Sequence, residues 1–366
     1  MTFEAIGEKL KIMISDIKSI GSAENPQRIE LPCAWYRNEL EADKSWIWPF
    51  EKEHIEELDA ALRLSKEKGL GIFEVTKGDF PLPGFAKVLD ALLDELEHGR
   101  GVVLMRGFPV DRYSVDDLRR LYWGMGTHMG GAESQNIDGE LMQDISDRGF
   151  DYTKTEHRGS MTSAPLRPHC DITDVVGLLC IRTAKEGGVS TLCSSMTVYN
   201  EILDKHPEFL PAIHGGFRFD LDGKGPTGHP KEVTNPLPAY SWCEGQLACR
   251  FNQKAIEEGG MKIGEPLNEL QQAAVSFIGE TAIRPDIQYE MDFQPGDIQW
   301  LNNYVILHSR TEYVDHEELA KKRLLLRLWL NHAKARPLND DFANKALMGP
   351  RKGVKNRSAT YELEAG

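Results

Sequence analysis

Apolar residues in the first hundred positions recur every three or four residues, which is the spacing of one helix face. This pattern predicts helices over residues 1–20, 52–69 and 84–99. The second and third of these stretches each end at a glycine, Gly69 and Gly99, a residue that commonly terminates helices. The N-terminal section is therefore predicted to be largely helical.

Shorter signals lie between and after these helices. Trp35, Trp46 and Trp48 surround a proline-containing stretch and are expected to pin an extended arm to the core. The apolar run at 101–110 predicts a buried strand, and Ser114 is a typical N-cap for the helix that follows it.

From about residue 134 the pattern changes to short β-rich runs separated by Gly, Pro, Asp and Asn. Helices are predicted within this region only at 195–206 and 268–282. The predicted strands are LMQDIS, VVGLLCIRTA, VSTLCSS, GGFRFDL, AYSWCEG, QLACRFN, IQYEMDF, DIQWLNN, VILHS and LLLRLWL. Many short strands with turn signals favour a sandwich or barrel over a regular βαβ series. The fold class predicted is mainly β with surrounding helices, a β-sandwich of the jelly-roll type.

The domain organisation follows from these changes in pattern. We predict a single domain over 1–335, with a helical N-terminal section at 1–100 and a jelly-roll core at 101–335. Residues 336–366 are rich in proline, glycine and charge and are predicted to form a C-terminal tail.

Composition narrows the class of ligand and the compartment. The 366-residue chain has a formal net charge of −14, which disfavours nucleic acid and anionic membranes as partners. The start of the chain carries charges throughout, unlike a signal peptide, and no run approaches the length of a membrane span. The six cysteines lack CxxC spacing, so a reduced, cytoplasmic protein is expected, with Cys243 and Cys249 the pair considered for a disulfide.

Candidate metal ligands stand beside two of the apolar runs. His169 and Asp171 lead into VVGLLCI, and His308 ends VILHS. Residues i and i+2 of a strand point to the same face, so we expect His169 and Asp171 side by side, with Cys170 facing away. Two imidazoles and one carboxylate form the facial triad of non-haem Fe(II) sites, which leaves coordination positions open for a co-substrate and O2.

The same letters also occur by chance. HxE triplets begin at His54, His206 and His316, but those stretches read as helix or exposed loop, where i and i+2 do not share a face. An isolated histidine at the end of a strand is more often structural than a ligand. The triad therefore needs support from another feature.

Arginines in the final strand provide that support. Arg323 and Arg327 lie four apart in RLLLRLWL, with leucines on the opposite face. Cations in such an apolar run are costly unless paired. An internal ion pair to Glu290 or Asp297 is the alternative considered for Arg327. For Arg323 we favour the binding of a carboxylate of a dicarboxylic co-substrate.

Together these residues resemble the taurine dioxygenase and clavaminate synthase-like (TauD/TfdA) family of Fe(II)- and 2-oxoglutarate-dependent oxygenases. The resemblance covers roughly 100–335. Its marks are HCD at 169–171, GGVS at 187–190, PGD at 295–297, LHSR at 307–310 and RLLLRLWL at 323–330.

The resemblance implies a double-stranded β-helix fold, Fe(II) bound by His169, Asp171 and His308, and 2-oxoglutarate and O2 as co-substrates. It also implies that Arg323 and Ser190 hold the distal carboxylate of 2-oxoglutarate. Arg327 matches a position that binds a substrate anion in some members and assists the co-substrate in others. The segment between His308 and Arg323 is longer than in taurine dioxygenase itself, so the division of roles between the two arginines stays open.

The implied activity is hydroxylation, or desaturation, of an unactivated C–H bond of a small molecule, with release of succinate and CO2. A homo-oligomer is compatible with the sequence. The polar loop at 129–164 is expected beside the site, where Gln135, Asn136 or Gln143 would face the substrate.

Two alternatives use the same His/Asp/His set. One is a metal-dependent hydrolase with Zn2+, and the other is a cupin-like binding protein without turnover. A histone-demethylase-like oxygenase is disfavoured by the acidic composition and by the co-substrate arginine.

Overall fold

The computed structural model describes residues 21–136, 138–149, 162–221 and 233–343. The helix predicted over 1–20 lies outside the described residues. Elements are numbered below in chain order within the described parts of the chain.

The α-helices include every one predicted inside the described ranges. They are α1 Arg37–Ala42, α2 Lys52–Glu67, α3 Phe85–His98, α4 Val115–Met129, α5 Ser195–Lys205, α6 Leu210–Gly215, α7 Gln253–Lys262, α8 Glu269–Ala282 and α9 Asp340–Ala343. The predicted cap of α4 is confirmed, because the Asp117 backbone N–H donates to Ser114 Oγ at 3.1 Å. Helices α1, α6, α7 and α9 were not predicted. Helices α1, α6 and α9 have six residues or fewer, which make less than two turns and show no periodicity, and α7 has ten residues but contains Gly259 and Gly260, which are poor helix formers.

The β-strands confirm the predicted runs with one exception. They are β1 Ile47–Pro49, β2 Val102–Arg106, β3 Gly131–Ala132, β4 Met142–Ile145, β5 Leu166–His169, β6 Val175–Arg182, β7 Glu186–Gly187, β8 Ser190–Ser194, β9 Tyr240–Cys243, β10 Gln246–Cys249, β11 Tyr289–Met291, β12 Ile298–Asn302, β13 Ile306–Arg310, β14 Tyr313–Val314 and β15 Leu324–Asn331. The exception is GGFRFDL, where only isolated bridges form, at Phe217 and Asp220. The prediction of a strand there is wrong.

Two sheets define the architecture. The larger has seven strands in the order β1-β2-β12-β6-β15-β3, with β4 also paired to β15. The smaller has four strands in the order β11-β8-β13-β5. Apart from the parallel β1–β2 pair, the neighbours in both sheets are antiparallel.

Alternation along the strands of the larger sheet separates its two faces. Leu326 and Leu328 of β15 pack in one cluster with Trp300 of β12 and with apolar residues of α3 and α4. Leu325 and Arg327 point the other way and line a cavity shared with the smaller sheet. The predicted separation of leucines from arginine along β15 is confirmed, and helices α3 and α4 pack against the outer face.

A glycine turn between β7 and β8 delivers Ser190 to this cavity. Gly187 and Gly188 have φ values of 72° and 70°, in the left-handed region that favours glycine. A Cβ atom on Gly187 would lie 2.3 Å from the Glu312 carbonyl oxygen. The GGVS sequence is therefore required by backbone conformation as well as by close approach.

The tryptophans of the N-terminal section anchor it as predicted. Trp35, Trp46 and Trp48 are all buried. The indole N–H of Trp35 donates to the Arg100 carbonyl oxygen at 3.0 Å, and that of Trp46 donates to Leu40 at 3.1 Å. The N-terminal section is thereby fixed to the sheet that carries the site.

Glu201 of α5 ties this section to the helices that follow. Its carboxylate accepts hydrogen bonds from Tyr36 at 2.7 Å, from Lys205 at 2.5 Å and from Arg284. Burial alone would raise its pKa, but these donors outweigh burial and lower the pKa from 4.5 to about 2. The ionised form is the one that the fold stabilises.

The C-terminal division drawn at residue 335 stays a prediction, but the residues just after it contact the core. Arg336 donates to Glu97 Oε1 at 2.8 Å and to the Leu247 carbonyl oxygen at 2.7 Å. Phe342 is fully buried. The predicted tail therefore does not begin as a free segment at 336.

Two expectations from composition are also met. All six cysteines are free, including Cys243 and Cys249. Within the described ranges, no helix combines the length and the apolar character needed to cross a bilayer.

Candidate metal centre and co-substrate pocket

The structure brings the three predicted metal ligands together. His169 ends β5 and His308 lies directly opposite it on β13, so that their ring centroids are 4.4 Å apart. Asp171 Oδ1 lies 3.9 Å from His169 Nε2, and Asp171 Oδ2 lies 3.7 Å from His308 Nε2. One ligand atom from each residue falls within 4.8 Å of the others. This geometry could hold a single metal ion.

The route by which Asp171 reaches the site differs from the prediction. Strand β5 ends at His169, so the i, i+2 rule for strands does not apply to Asp171. The chain leaves the sheet after His169, and the Asp171 backbone N–H donates instead to Asn303 Oδ1 at 3.2 Å. Cys170 is buried, with its thiol against the Ile306 carbonyl oxygen at 3.9 Å. The two ligands meet through a turn rather than through strand alternation.

Both imidazoles keep a nitrogen available to the site. His169 Nδ1 lies 2.9 Å from the Arg167 carbonyl oxygen, which fixes the ring with Nε2 toward Asp171. Burial, helped by the neighbouring His169, lowers the pKa of His308 to about 3 despite the opposing effect of Asp171. His308 is therefore neutral, as a metal ligand must be.

Asp171 is held by two donors on β15. Trp329 Nε1 donates to its Oδ2 at 2.9 Å, and Arg327 Nη1 donates to the same oxygen at 3.2 Å. Burial opposes ionisation, but the charge of Arg327, the two histidines and the indole hydrogen bond together hold the pKa of this carboxyl well below its usual value. The carboxylate is thus ionised and oriented by neighbouring side chains, as is typical of metal ligands.

Arg327 is fully engaged by its own chain. Its Nε donates to Gln135 Oε1 at 2.7 Å and its Nη2 to Gln143 Oε1 at 2.8 Å, in addition to the contact with Asp171. The alternative of an internal ion pair for Arg327 is confirmed, but its partner is Asp171 and not Asp297, because Asp297 accepts hydrogen bonds from Arg106 at 2.9 and 2.8 Å.

The other proposed partner, Glu290, lies on the exposed side of β11.

The amides predicted to face a substrate have a different setting. Gln135 and Gln143 are completely buried and hold Arg327. The Asn136 amide donates to Glu140 Oε2 at 2.5 Å, within its own loop. The loop therefore lies at the site, but the side chains of Gln135 and Gln143 bind Arg327.

A narrow cavity of about 60 Å3 extends from the metal site toward Arg323. Ser190, His308 and Arg323 line it, together with Arg310, Arg327 and other polar and apolar side chains. The Arg323 guanidinium lies 5.1 Å from the Tyr313 ring, and its buried Nη1 has no hydrogen-bond partner among the described residues. A buried cation with an unused donor fits a carboxylate ligand.

A second, larger cavity of about 780 Å3 is also lined by residues of the triad. Its walls include His169, Asp171, Arg327 and Trp329. Aromatic and charged side chains complete the lining, among them Phe219, Phe251, Arg250, Arg310, Lys254 and Glu257. The triad is therefore adjacent to a small pocket and to a space large enough for a small molecule, and His169 lines both.

Two contributors to the site, Trp329 and Gln299, were not identified from the sequence. Trp329 lies two residues after Arg327, so alternation could have placed it on the same face. Gln299, whose amide donates to Ser190 Oγ at 3.2 Å, comes from a strand with no charged residue to draw attention to it. The HxE histidines His54, His206 and His316 are absent from the triad cluster, which confirms their separation from it.

The donor set fits iron on chemical grounds. Two imidazoles and one carboxylate suit Fe(II) and Zn2+ alike. The unpartnered donor of Arg323 beside the triad suits an anion that is long enough to reach it from the metal. A dicarboxylic 2-oxo acid meets both requirements.

Comparisons with known proteins agree with this geometry. The model of the taurine catabolism dioxygenase TauD, TfdA family matches residues 65–329. FR-33289 synthase of Streptomyces rubellomurinus is 32% identical over 302 residues, which cover 81% of this chain and 88% of the synthase. Taurine hydroxylase-like protein SAT17 of Stachybotrys chartarum is 24% identical over 309 residues, covering 81% and 77% of the two chains.

Solved structures share the fold at lower identity. Asparagine oxygenase in complex with Fe(II), 2S,3S-3-hydroxyasparagine and succinate aligns with a TM-score of 0.61 and 15% identity, covering 78% of this chain and 94% of that one. The non-heme iron oxygenase OrfP in complex with Fe and alpha-ketoglutaric acid aligns with a TM-score of 0.54 and 13% identity, with the same coverage.

Proposed function

Because this chain belongs to the taurine catabolism dioxygenase TauD/TfdA family, we propose that it is an Fe(II)- and 2-oxoglutarate-dependent dioxygenase. It hydroxylates, or desaturates, an unactivated C–H bond of a small molecule and releases succinate and CO2. The two facing sheets correspond, in this proposal, to the double-stranded β-helix of clavaminate synthase-like enzymes.

The observation that supports this proposal most directly is that residues of one triad line two cavities of different size. His169, Asp171 and His308 would hold Fe(II). The narrow pocket beyond them ends at Arg323 and Ser190, which would bind the distal carboxylate of 2-oxoglutarate. Iron, 2-oxoglutarate and O2 supply the oxidation, and the protein supplies orientation and exclusion of water.

Arg327 receives a different role. It is committed to Asp171, Gln135 and Gln143, so it would orient the carboxylate ligand while presenting part of its guanidinium to the larger cavity. The primary substrate would occupy that cavity. Small-molecule complexes of asparagine oxygenase and OrfP, with hydroxyasparagine and hydroxyarginine, support this class of substrate.

The hydrolase and the non-catalytic alternatives leave Arg323 and Ser190 without a role. A Zn2+ hydrolase needs a bound water but no buried arginine beside the metal. A cupin-like binding protein would bind metal without consuming 2-oxoglutarate. Neither explains why an unused guanidinium donor lies next to the triad.

The test does not require the substrate to be known. Anaerobic addition of Fe(II) and then 2-oxoglutarate to the full chain should give a visible metal-to-ligand charge-transfer band, and admitting O2 should release succinate. Asp171→Ala and His308→Ala should abolish both signals. His316→Ala is the matched control, since this histidine lies outside the triad cluster. Wild-type protein that gives no band and no succinate would refute the proposal.

A further inference from the structure

A buried amide lies behind the proposed co-substrate pocket. Gln299 of β12 is completely buried and faces the smaller sheet, in the same cross-strand row as Leu178 of β6 and Arg327 of β15. Its Nε2 lies 3.2 Å from Ser190 Oγ on β8. Gln299 does not line the narrow pocket itself, so it can reach a ligand there only through Ser190.

The direction of this hydrogen bond decides what Ser190 can do. A serine hydroxyl has one hydrogen to donate and two lone pairs to accept with. Since the Gln299 amide NH2 is a donor, Ser190 Oγ accepts and keeps its own hydrogen for another partner. The other side of Ser190 is the narrow pocket, where Arg323 also has a buried Nη1 without a partner in the described part of the chain.

The surroundings of Gln299 favour this orientation of the amide. Its Nε2 also lies 3.6 Å from the sulfur of Met291, which is a weak acceptor and cannot donate. A reversed amide would place the Gln299 oxygen against that sulfur, and it would also capture the Ser190 hydrogen. In this orientation the Gln299 oxygen is buried and has no partner among the described residues, so the contact with sulfur is what distinguishes the two orientations. It favours the one that leaves the hydroxyl hydrogen free.

We infer that Gln299 is a positioning residue that keeps the Ser190 hydroxyl as a donor toward the distal carboxylate of 2-oxoglutarate, beside Arg323. This inference rests on the proposed function. It adds a residue from the larger sheet to a pocket whose hydroxyl belongs to the smaller sheet. The distal carboxylate would then receive one neutral donor, Ser190 held through Gln299 of the larger sheet, and one cationic donor, Arg323, which directly precedes β15 of the same sheet.

The test measures binding of 2-oxoglutarate by anaerobic titration of the charge-transfer band in the Fe(II)-loaded full chain. Gln299→Leu should raise the dissociation constant by about 3- to 10-fold, and Ser190→Ala by about 10-fold, the range expected for one hydrogen bond. The double variant should bind no more weakly than Ser190→Ala, because Gln299 acts only through that hydroxyl.

Two further measurements separate positioning from general damage. Oxalate chelates the metal but has no distal carboxylate, so its dissociation constant, measured by competition with 2-oxoglutarate, should be the same in wild type and Gln299→Leu. Asn302→Leu removes another buried amide from the same strand, one that donates to Leu96 and Glu97 instead. It should lower thermal stability without changing the dissociation constant of 2-oxoglutarate.

The outcomes are distinguishable. If wild type gives no charge-transfer band, the proposed function fails. If wild type gives the band but Gln299→Leu binds 2-oxoglutarate as tightly as wild type, the inference about Gln299 is overturned. The inference would also be overturned if Gln299→Leu weakened 2-oxoglutarate binding by the same factor in the wild-type and the Ser190→Ala backgrounds. Equal weakening of oxalate binding by Gln299→Leu would overturn it as well.

Discussion

The indole of Trp329 offers a direct test of how the proposed metal ligand Asp171 is held. Its N–H donates to Asp171 Oδ2 at 2.9 Å in a buried environment. A hydrogen bond to a charged group is worth about 1.5–3 kcal/mol. Trp329→Phe keeps an aromatic ring but removes this donor, so Asp171 would retain only Arg327 as a side-chain donor. At about 1.4 kcal/mol per factor of ten, we expect Fe(II) affinity to fall by about 10- to 100-fold.

Anaerobic competition for Fe(II) against a chelating indicator gives the affinity. Trp300→Phe is the matched control, because Trp300 is also fully buried but its Nε1 has no hydrogen-bond partner in the described structure. It reports the packing cost of replacing an indole by a phenyl ring. Equal Fe(II) affinities in the Trp329→Phe and Trp300→Phe proteins would refute the assignment of Trp329 as a support of the ligand.

Three other predictions follow from buried charges. Arg323→Leu should raise the dissociation constant of 2-oxoglutarate by about 30-fold or more in the charge-transfer titration and leave Fe(II) affinity unchanged, because removing one member of a buried charge pair costs about 2–5 kcal/mol. An unchanged dissociation constant would mean that the co-substrate carboxylate binds at another residue. Glu201 has a pKa lowered from 4.5 to about 2, so its contribution to stability is present above pH 4.5 and lost as the pH falls toward 2. The free energy of unfolding, measured with denaturant across that pH window, should depend less on pH in Glu201→Gln than in wild type. Equal pH dependence in the two proteins would contradict this. Arg336→Met should lower the free energy of unfolding by about 3–5 kcal/mol, because it leaves Glu97 buried without the guanidinium that pairs with it at 2.8 Å; a loss below about 1 kcal/mol would show that this pair contributes little.

The structure could be predicted from the sequence where one physical rule acts over a long stretch of the chain. Strand β15 is the clearest case, because period-2 alternation alone separated Leu326 and Leu328 from Arg327. The long helices α2, α3, α5 and α8 were equally accessible through their apolar faces. Ser190 was assigned through the family resemblance, and the structure shows that two glycines form the turn before it.

The sequence was insufficient where contacts join distant segments. Asp171 was expected on a strand, but the chain turns after His169 and its backbone pairs with Asn303, a residue 132 positions away. Gln135 and Gln143 were expected to face a substrate, and no local pattern could show that Arg327 occupies their amide oxygens. Short helices such as α1 and α6 depend on tertiary packing and carry too few residues for a periodic signal.

The division of roles between the two arginines, open in the sequence, has a physical argument in the structure. Arg327 donates to Asp171, Gln135 and Gln143, so its charge is already balanced by a carboxylate and its donors are directed by amides. Arg323 is equally buried, yet its Nη1 meets no acceptor among the described residues, and its nearest ring is Tyr313. A buried guanidinium without an acceptor is costly, and a ligand carboxylate removes that cost. We therefore propose that Arg323 binds the co-substrate and that Arg327 orients the metal ligand, although both arginines line the same narrow cavity.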